Sequence, residues 1–236
     1  MKKIRALKLM IGFIVIMITP FVVANIVNAY QITTVLDGQP VDVEATFDIN
    51  YNTDTITIII NNLVVNPTSI IQNLSGLGFA LSDPESGLSD PTLVSSIATY
   101  RDVAASGAYT DNGTGATGWE LANGVIFEFG TGFQLYVLGT LAGPSQTLIG
   151  QPDGLNLYSN ANGSIAGNNP HNPFIYGPAT FVINFNGSYD LTDESITGIA
   201  WYFGTEPTAV VPEPTTLLLL GSGLIGLWGF RKKFKK

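Results

Sequence analysis

The chain has 236 residues with 18 Asp and Glu, 10 Lys and Arg, one His and no Cys, for a formal net charge of −8. Nine of the ten cations lie in the first eight and last six residues, so residues 30–211 hold 17 carboxylates against Arg101 alone. Such a body repels phosphate backbones, which excludes nucleic acid as a partner, and without Cys there are no disulfides, zinc–thiolate sites or thiol nucleophiles.

Residues 1–29 read as a secretory signal peptide. Lys2, Lys3, Arg5 and Lys8 precede an apolar run from Leu9 to Val23. Val27-Asn28-Ala29 then offers the modest and small residues that a signal peptidase reads, which places the expected cut between Ala29 and Tyr30. An uncleaved anchor helix is the alternative, and export follows from either.

Residues 30–211 are expected to form one all-β domain, an antiparallel β-sandwich with a jelly roll as one arrangement. The period of two is clear in several windows. Val41, Val43, Ala45, Phe47 and Ile49 share one face, with Asp42, Glu44, Thr46 and Asp48 on the other. Ile56, Ile58 and Ile60 repeat the pattern, as do Val125, Phe127 and Phe129, then Phe133, Leu135 and Val137. Phe181, Ile183 and Phe185 follow, and finally Ile199, Trp201 and Phe203. Asn50 to Asp54, Asp111-Asn112-Gly113, Asn160 to Gly163 and Asn186-Gly187 supply turn chemistry between strands. Ser82 to Pro91 and Ala142 to Pro178 read as long loops.

Candidate chemistry in the body is thin, and the expectation is a protein that is not an enzyme and takes no cofactor. His171, the one imidazole, has no neighbouring carboxylate or nucleophile in sequence, and no nucleophile-elbow pattern occurs. Asp190 to Glu194 and Asp111 to Gly113 cluster hard oxygen ligands, but neither follows the EF-hand spacing, so no metal site is assigned. Trp119, beside a Gly-rich loop, and Tyr202, which alternates outward from Trp201, are the candidate glycan contacts, since sugar rings stack on flat aromatic faces. Paired carboxylates leave a weak glycosidase as a further alternative.

At the C-terminus Pro212-Glu213-Pro214 is followed by an apolar stretch, Thr215 to Phe230, and by the cations Arg231, Lys232, Lys233, Lys235 and Lys236. The stretch reaches about 24 Å as a helix at 1.5 Å per residue, short for a hydrocarbon core of about 30 Å. The basic tail can snorkel to make up the difference and fixes the tail on the cytoplasmic side. Residues 212–236 are therefore expected to hold a short transmembrane helix with a basic stop tail.

The tripeptide, the Leu- and Gly-rich stretch and the basic tail together resemble the PEP-CTERM sorting domain of exported proteins in Gram-negative bacteria that make exopolysaccharide. That resemblance implies an exosortase partner in the inner membrane, a cut near Pro212-Glu213-Pro214 and release toward the cell surface or extracellular matrix. Signal peptidase and exosortase would be transient partners, and the released body is expected to associate with exopolysaccharide, as in a biofilm matrix, or with neighbouring cells. The resemblance is confined to the C-terminal signal and implies nothing about the activity of the body.

Overall fold

The computed structural model describes residues 26–82, 91–186, 191, 196–205 and 208–210. The expected signal helix upstream of residue 26 and the expected span, tripeptide and tail in residues 212–236 lie outside the described residues. Among those described, no helix is long and apolar enough to cross a membrane.

Twelve strands form among these residues: β1 (Ile26–Leu36), β2 (Gln39–Asn50), β3 (Thr55–Asn62), β4 (Leu74–Leu81), β5 (Thr92–Val103) and β6 (Tyr109–Ala116). They continue with β7 (Glu120–Phe127), β8 (Gly130–Tyr136), β9 (Leu148–Ile149), β10 (Phe174–Asn184), β11 (Ile196–Phe203) and β12 (Thr208–Val210). The all-β expectation is met. Strict alternation produces the strands it predicts: Val41, Val43, Ala45, Phe47 and Ile49 of β2 are all fully buried, as are Ile56, Ile58 and Ile60 of β3. Their hairpin turns at Asn50 to Asp54, where the Asn50 side chain accepts from the Asn52 amide at 3.1 Å and Asp54 takes a positive φ of 50°.

Hydrogen bonds join the strands along the path β1-β2-β3-β10-β9-β4-β11-β12, with β5 and β6 branching from β10, and β8 and β7 branching from β4. The sheet is mixed, which corrects the purely antiparallel expectation. Short β9 runs parallel to β10 and antiparallel to β4, and Val65 pairs in parallel with Gln151. The cause is the segment after β8, which turns back to lay two buried residues, Leu148 and Ile149, between β10 and β4 instead of forming a hairpin.

Strands far apart on this path nonetheless meet through their side chains. Phe47 on β2 packs edge-on against Phe79 on β4 with ring centroids 5.4 Å apart. Phe79 continues to Phe133 on β8 at 5.3 Å, and Phe133 to Phe185 at 5.4 Å. Trp119 and Phe181 pack at 5.2 Å within the same core.

Two further expectations need correction. Asp111-Asn112-Gly113 is not a turn but lies inside β6, where Asp111 pairs with Arg101 on β5 and the register shifts between Thr99 and Arg101. The long segment Ala142 to Pro178 is not all loop, since β9 lies within it and β10 begins at Phe174. Of the other long loop, residues 83–90 lie outside the described residues.

The first strand begins four residues ahead of the expected signal cut. Val27 is 61% exposed, Ala29 is exposed, and the buried Asn28 amide has no partner among the described residues. Tyr30 is the first strongly held residue: its ring packs on Phe47 at 5.8 Å and its hydroxyl donates to the Ile196 carbonyl at 3.1 Å. Pairing at the end of an edge strand frays at almost no cost. A protein beginning at Tyr30 is therefore expected to match one beginning at Ile26 within about 1 kcal/mol. Urea unfolding of the two forms measures the difference; a gap of several kcal/mol would assign Ile26–Ala29 to the stable fold.

Candidate functional site

A connected polar network surrounds the only Lys or Arg of residues 30–211. Arg101, near the end of β5, is 3% exposed. Its Nε and Nη2 donate to the two carboxylate oxygens of Asp111 at 2.7 and 2.8 Å, a fork-to-fork pair across the β5–β6 ladder. Its Nη1 donates to the Tyr158 hydroxyl at 3.0 Å, and that hydroxyl donates to the Gly150 carbonyl at 2.9 Å. The guanidinium also lies between two rings, 3.9 Å from the centroid of Tyr109 and 3.5 Å from that of Tyr176.

Burial opposes the charge on Arg101, but the bonds to Asp111 and Tyr158 outweigh it and hold its pKa above the usual value. Burial likewise pushes the Tyr158 phenol up to about 12, against a smaller downward pull from Arg101. Every group here is engaged with its neighbours, so the arrangement fixes structure. Tyr158, Ile165 and Phe174 form a second apolar cluster with Val103 and Ile149. The Arg101 network thereby ties a long segment of little regular structure to the sheet. It also consumes the body's only side-chain cation, leaving 16 carboxylates with none to offset them.

An open groove of about 1090 Å³ lies between β5, β6 and the segment after β8, with Leu93, Val94, Ile97, Tyr100, Trp119 and Leu141 on its walls. Trp119 belongs to the core rather than to the surface, which corrects its expected place as a glycan contact. It is 3% exposed, packs on Phe181 and donates its indole N–H to the Gln146 carbonyl at 2.9 Å. Only its margin reaches the groove. A smaller pocket of about 260 Å³ includes Glu44, Asn61, Gln151 and Tyr176, with Glu44 accepting from the Asn61 amide at 3.0 Å.

His171 is half-buried, and its Nδ1 lies 2.6 Å from the main-chain carbonyl of Ser164. The Ser164 hydroxyl is engaged elsewhere, donating to Asn162 Oδ1 at 2.6 Å and accepting from the Ile70 amide at 2.9 Å. The imidazole thus holds a loop and does not address a nucleophile. Of Asp190 to Glu194, only Leu191 is described. Among the described residues no three His, Asp or Glu side chains gather where a metal could be held.

Tyr202 does face outward, as its alternation with buried Trp201 and Phe203 requires. It stands in a row that crosses four strands in register: Glu120 on β7, Tyr136 on β8, Gly76 on β4 and Tyr202 on β11. Tyr202 leans over Gly76, where an added Cβ would come within 3.4 Å of Tyr202 Cβ and Cδ2. The Tyr136 hydroxyl donates to Glu120 Oε2 at 3.1 Å. The next outward row runs Ala122, Gln134, Gly78, Ala200, and the Phe127 ring covers Gly78. Tyr136 was not singled out from sequence, although the buried residues Phe133, Leu135 and Val137 that flank it set its direction.

Comparison with protein families finds the PEP-CTERM protein-sorting motif at residues 210–233. The match contains Pro212, Glu213 and Pro214, the apolar stretch and the first cations of the tail, and it starts at the last residue of β12. The motif implies export, membrane-associated sorting and processing by an exosortase. No curated protein matches the chain.

Proposed function

We propose that the body is a non-enzymatic protein of the cell surface or extracellular matrix, delivered by its C-terminal signal and associated with exopolysaccharide. The sorting motif at residues 210–233 carries this reading. Among the described residues, His171 faces a carbonyl and Arg101 is locked into the interior, which fits this reading. In this scheme a signal peptidase cuts between Ala29 and Tyr30, the stretch before Arg231 holds the chain transiently in the inner membrane, and exosortase removes the signal near Pro212-Glu213-Pro214. The ring contacts from β2 to β4 support a sandwich as the form of the released body.

Expression with and without a partner exosortase tests the scheme. With the enzyme, mass spectrometry of surface material is expected to find chains that end near Pro212 and lack the basic tail, and Glu213→Ala is expected to abolish that processing. Tails still attached to surface material, or unchanged sorting of the variant, would refute it. A carbohydrate-binding body is the second reading, favoured by Tyr136 and Tyr202 on one outward row. A weak glycosidase is the form of that reading which hydrolysis of a glycan panel would reveal.

A further inference from the structure

The outward row described above has the chemistry of a sugar platform. Tyr136 and Tyr202 are partly exposed and stand one strand to either side of Gly76. Two strand spacings separate their backbones by about 10 Å. With glycine between them no side chain rises from the floor of the row, and Tyr202 lies across that floor. Aromatic faces on such a floor suit the apolar C–H faces of pyranose rings. Polar groups border the rings on the same face: the Gln134 amide one row along, and the exposed Glu120 carboxylate, which already accepts from Tyr136. Phe127 and Phe129, stacked at 4.9 Å with planes 11° apart, cover Gly78 and Gly198 and extend the aromatic surface along the sheet.

Charge decides which sugars this face accepts. Arg101 is buried against Asp111, so no Lys or Arg of residues 30–211 is left to meet an anionic polymer, while 16 carboxylates repel one. We infer that the aromatic surface carried by β8 and β11 over buried β4 binds a neutral polysaccharide, with Tyr136 and Tyr202 as stacking platforms and Gln134 and Glu120 as hydrogen-bonding partners of its hydroxyls. The inference rests on the proposed association with exopolysaccharide and names the polymer class and the surface.

The test uses the protein as cells release it, in affinity electrophoresis against neutral glucans of several linkages, anionic alginate, cationic chitosan and the polysaccharide of the producing cells. Retardation by at least one neutral glucan, insensitive to salt, is expected. Tyr136→Ala with Tyr202→Ala should weaken it at least tenfold, and Tyr136→Phe with Tyr202→Phe should leave it within about threefold, because stacking needs the ring and not the hydroxyl. Near-ultraviolet circular dichroism establishes that both variants are folded. Binding to neutral glucan that the alanine pair does not alter overturns the inference. So does binding to chitosan alone that disappears with salt, or a dimer that the alanine pair dissociates, since a second copy would then own the face. If the protein sediments with the producing cells' polysaccharide yet no neutral glucan retards it, the platform falls and the matrix association stands. If neither occurs, both fall.

Discussion

Replacing Arg101 with alanine is expected to cost about 2–4 kcal/mol of folding stability, because a buried side chain and its charge-assisted hydrogen bonds are lost, while Asp111, 41% exposed, is left facing water. The loss has three sources. Asp111 keeps its charge with no fixed cation, Tyr158 loses the donor to its hydroxyl, and the rings of Tyr109 and Tyr176 face an empty space between them. Equilibrium urea unfolding of the variant measures it. Arg101→Lys should recover only part, because an ammonium cannot make the two-pronged contact with Asp111 or lie flat between two rings. If Arg101→Ala costs under 1 kcal/mol, the network does not anchor the segment around Tyr158.

The same centre sets a limit at high pH. The Tyr158 phenol is raised to about 12 in the folded protein, chiefly by burial, against an ordinary value of 10. The folded state therefore holds this proton while the unfolded state releases it, so stability is lost as pH rises from about 10 toward 12 and is intact below 10. Tyr158→Phe should flatten that fall. Urea midpoints taken across this window would show it, and an equally steep fall in the variant would assign the effect to other tyrosines.

Phe79→Ala is expected to cost about 3–5 kcal/mol, through lost transfer energy and the cavity left behind. Phe79 is fully buried on a strand with no exposed residue, and its ring is the middle link between Phe47 and Phe133. Its neighbours belong to strands that do not all bond to one another, so the space cannot close by the movement of a single strand. Phe79→Leu should cost markedly less, because it fills most of the volume. Thermal and urea unfolding of both variants give the comparison, and equal losses would mean that the site collapses around the smaller side chain.

Strands whose two faces meet different surroundings were legible in the sequence. In β2 a buried apolar residue follows each acid or threonine, and the turn after it has its asparagines where they are needed. β4 was not legible, because Leu74 to Leu81 is buried on both sides and its outward positions are Gly76, Gly78 and Ala80, which read as neither polar nor apolar. β6 was hidden by Asp111-Asn112-Gly113, a turn sequence that an ion pair holds in a strand. The placement of Tyr158 depends on Arg101, 57 residues away, and no local pattern records that contact. The outward direction of Tyr202 followed from alternation alone. The burial of Trp119 did not, because it is set by Phe181 and Gln146, both remote in sequence.

The two ends of the hydrogen-bonded path are β1 and β12. One leads out of the expected signal peptide and the other leads into the sorting motif. Both cuts proposed above therefore fall at or beside β1 and β12, strands bonded on one side only. Two proteases acting at different times can each trim a loose end without unpicking a strand that holds another in place. A maturation route with two cuts thus asks nothing of the interior, and the body can finish folding before the second cut is made.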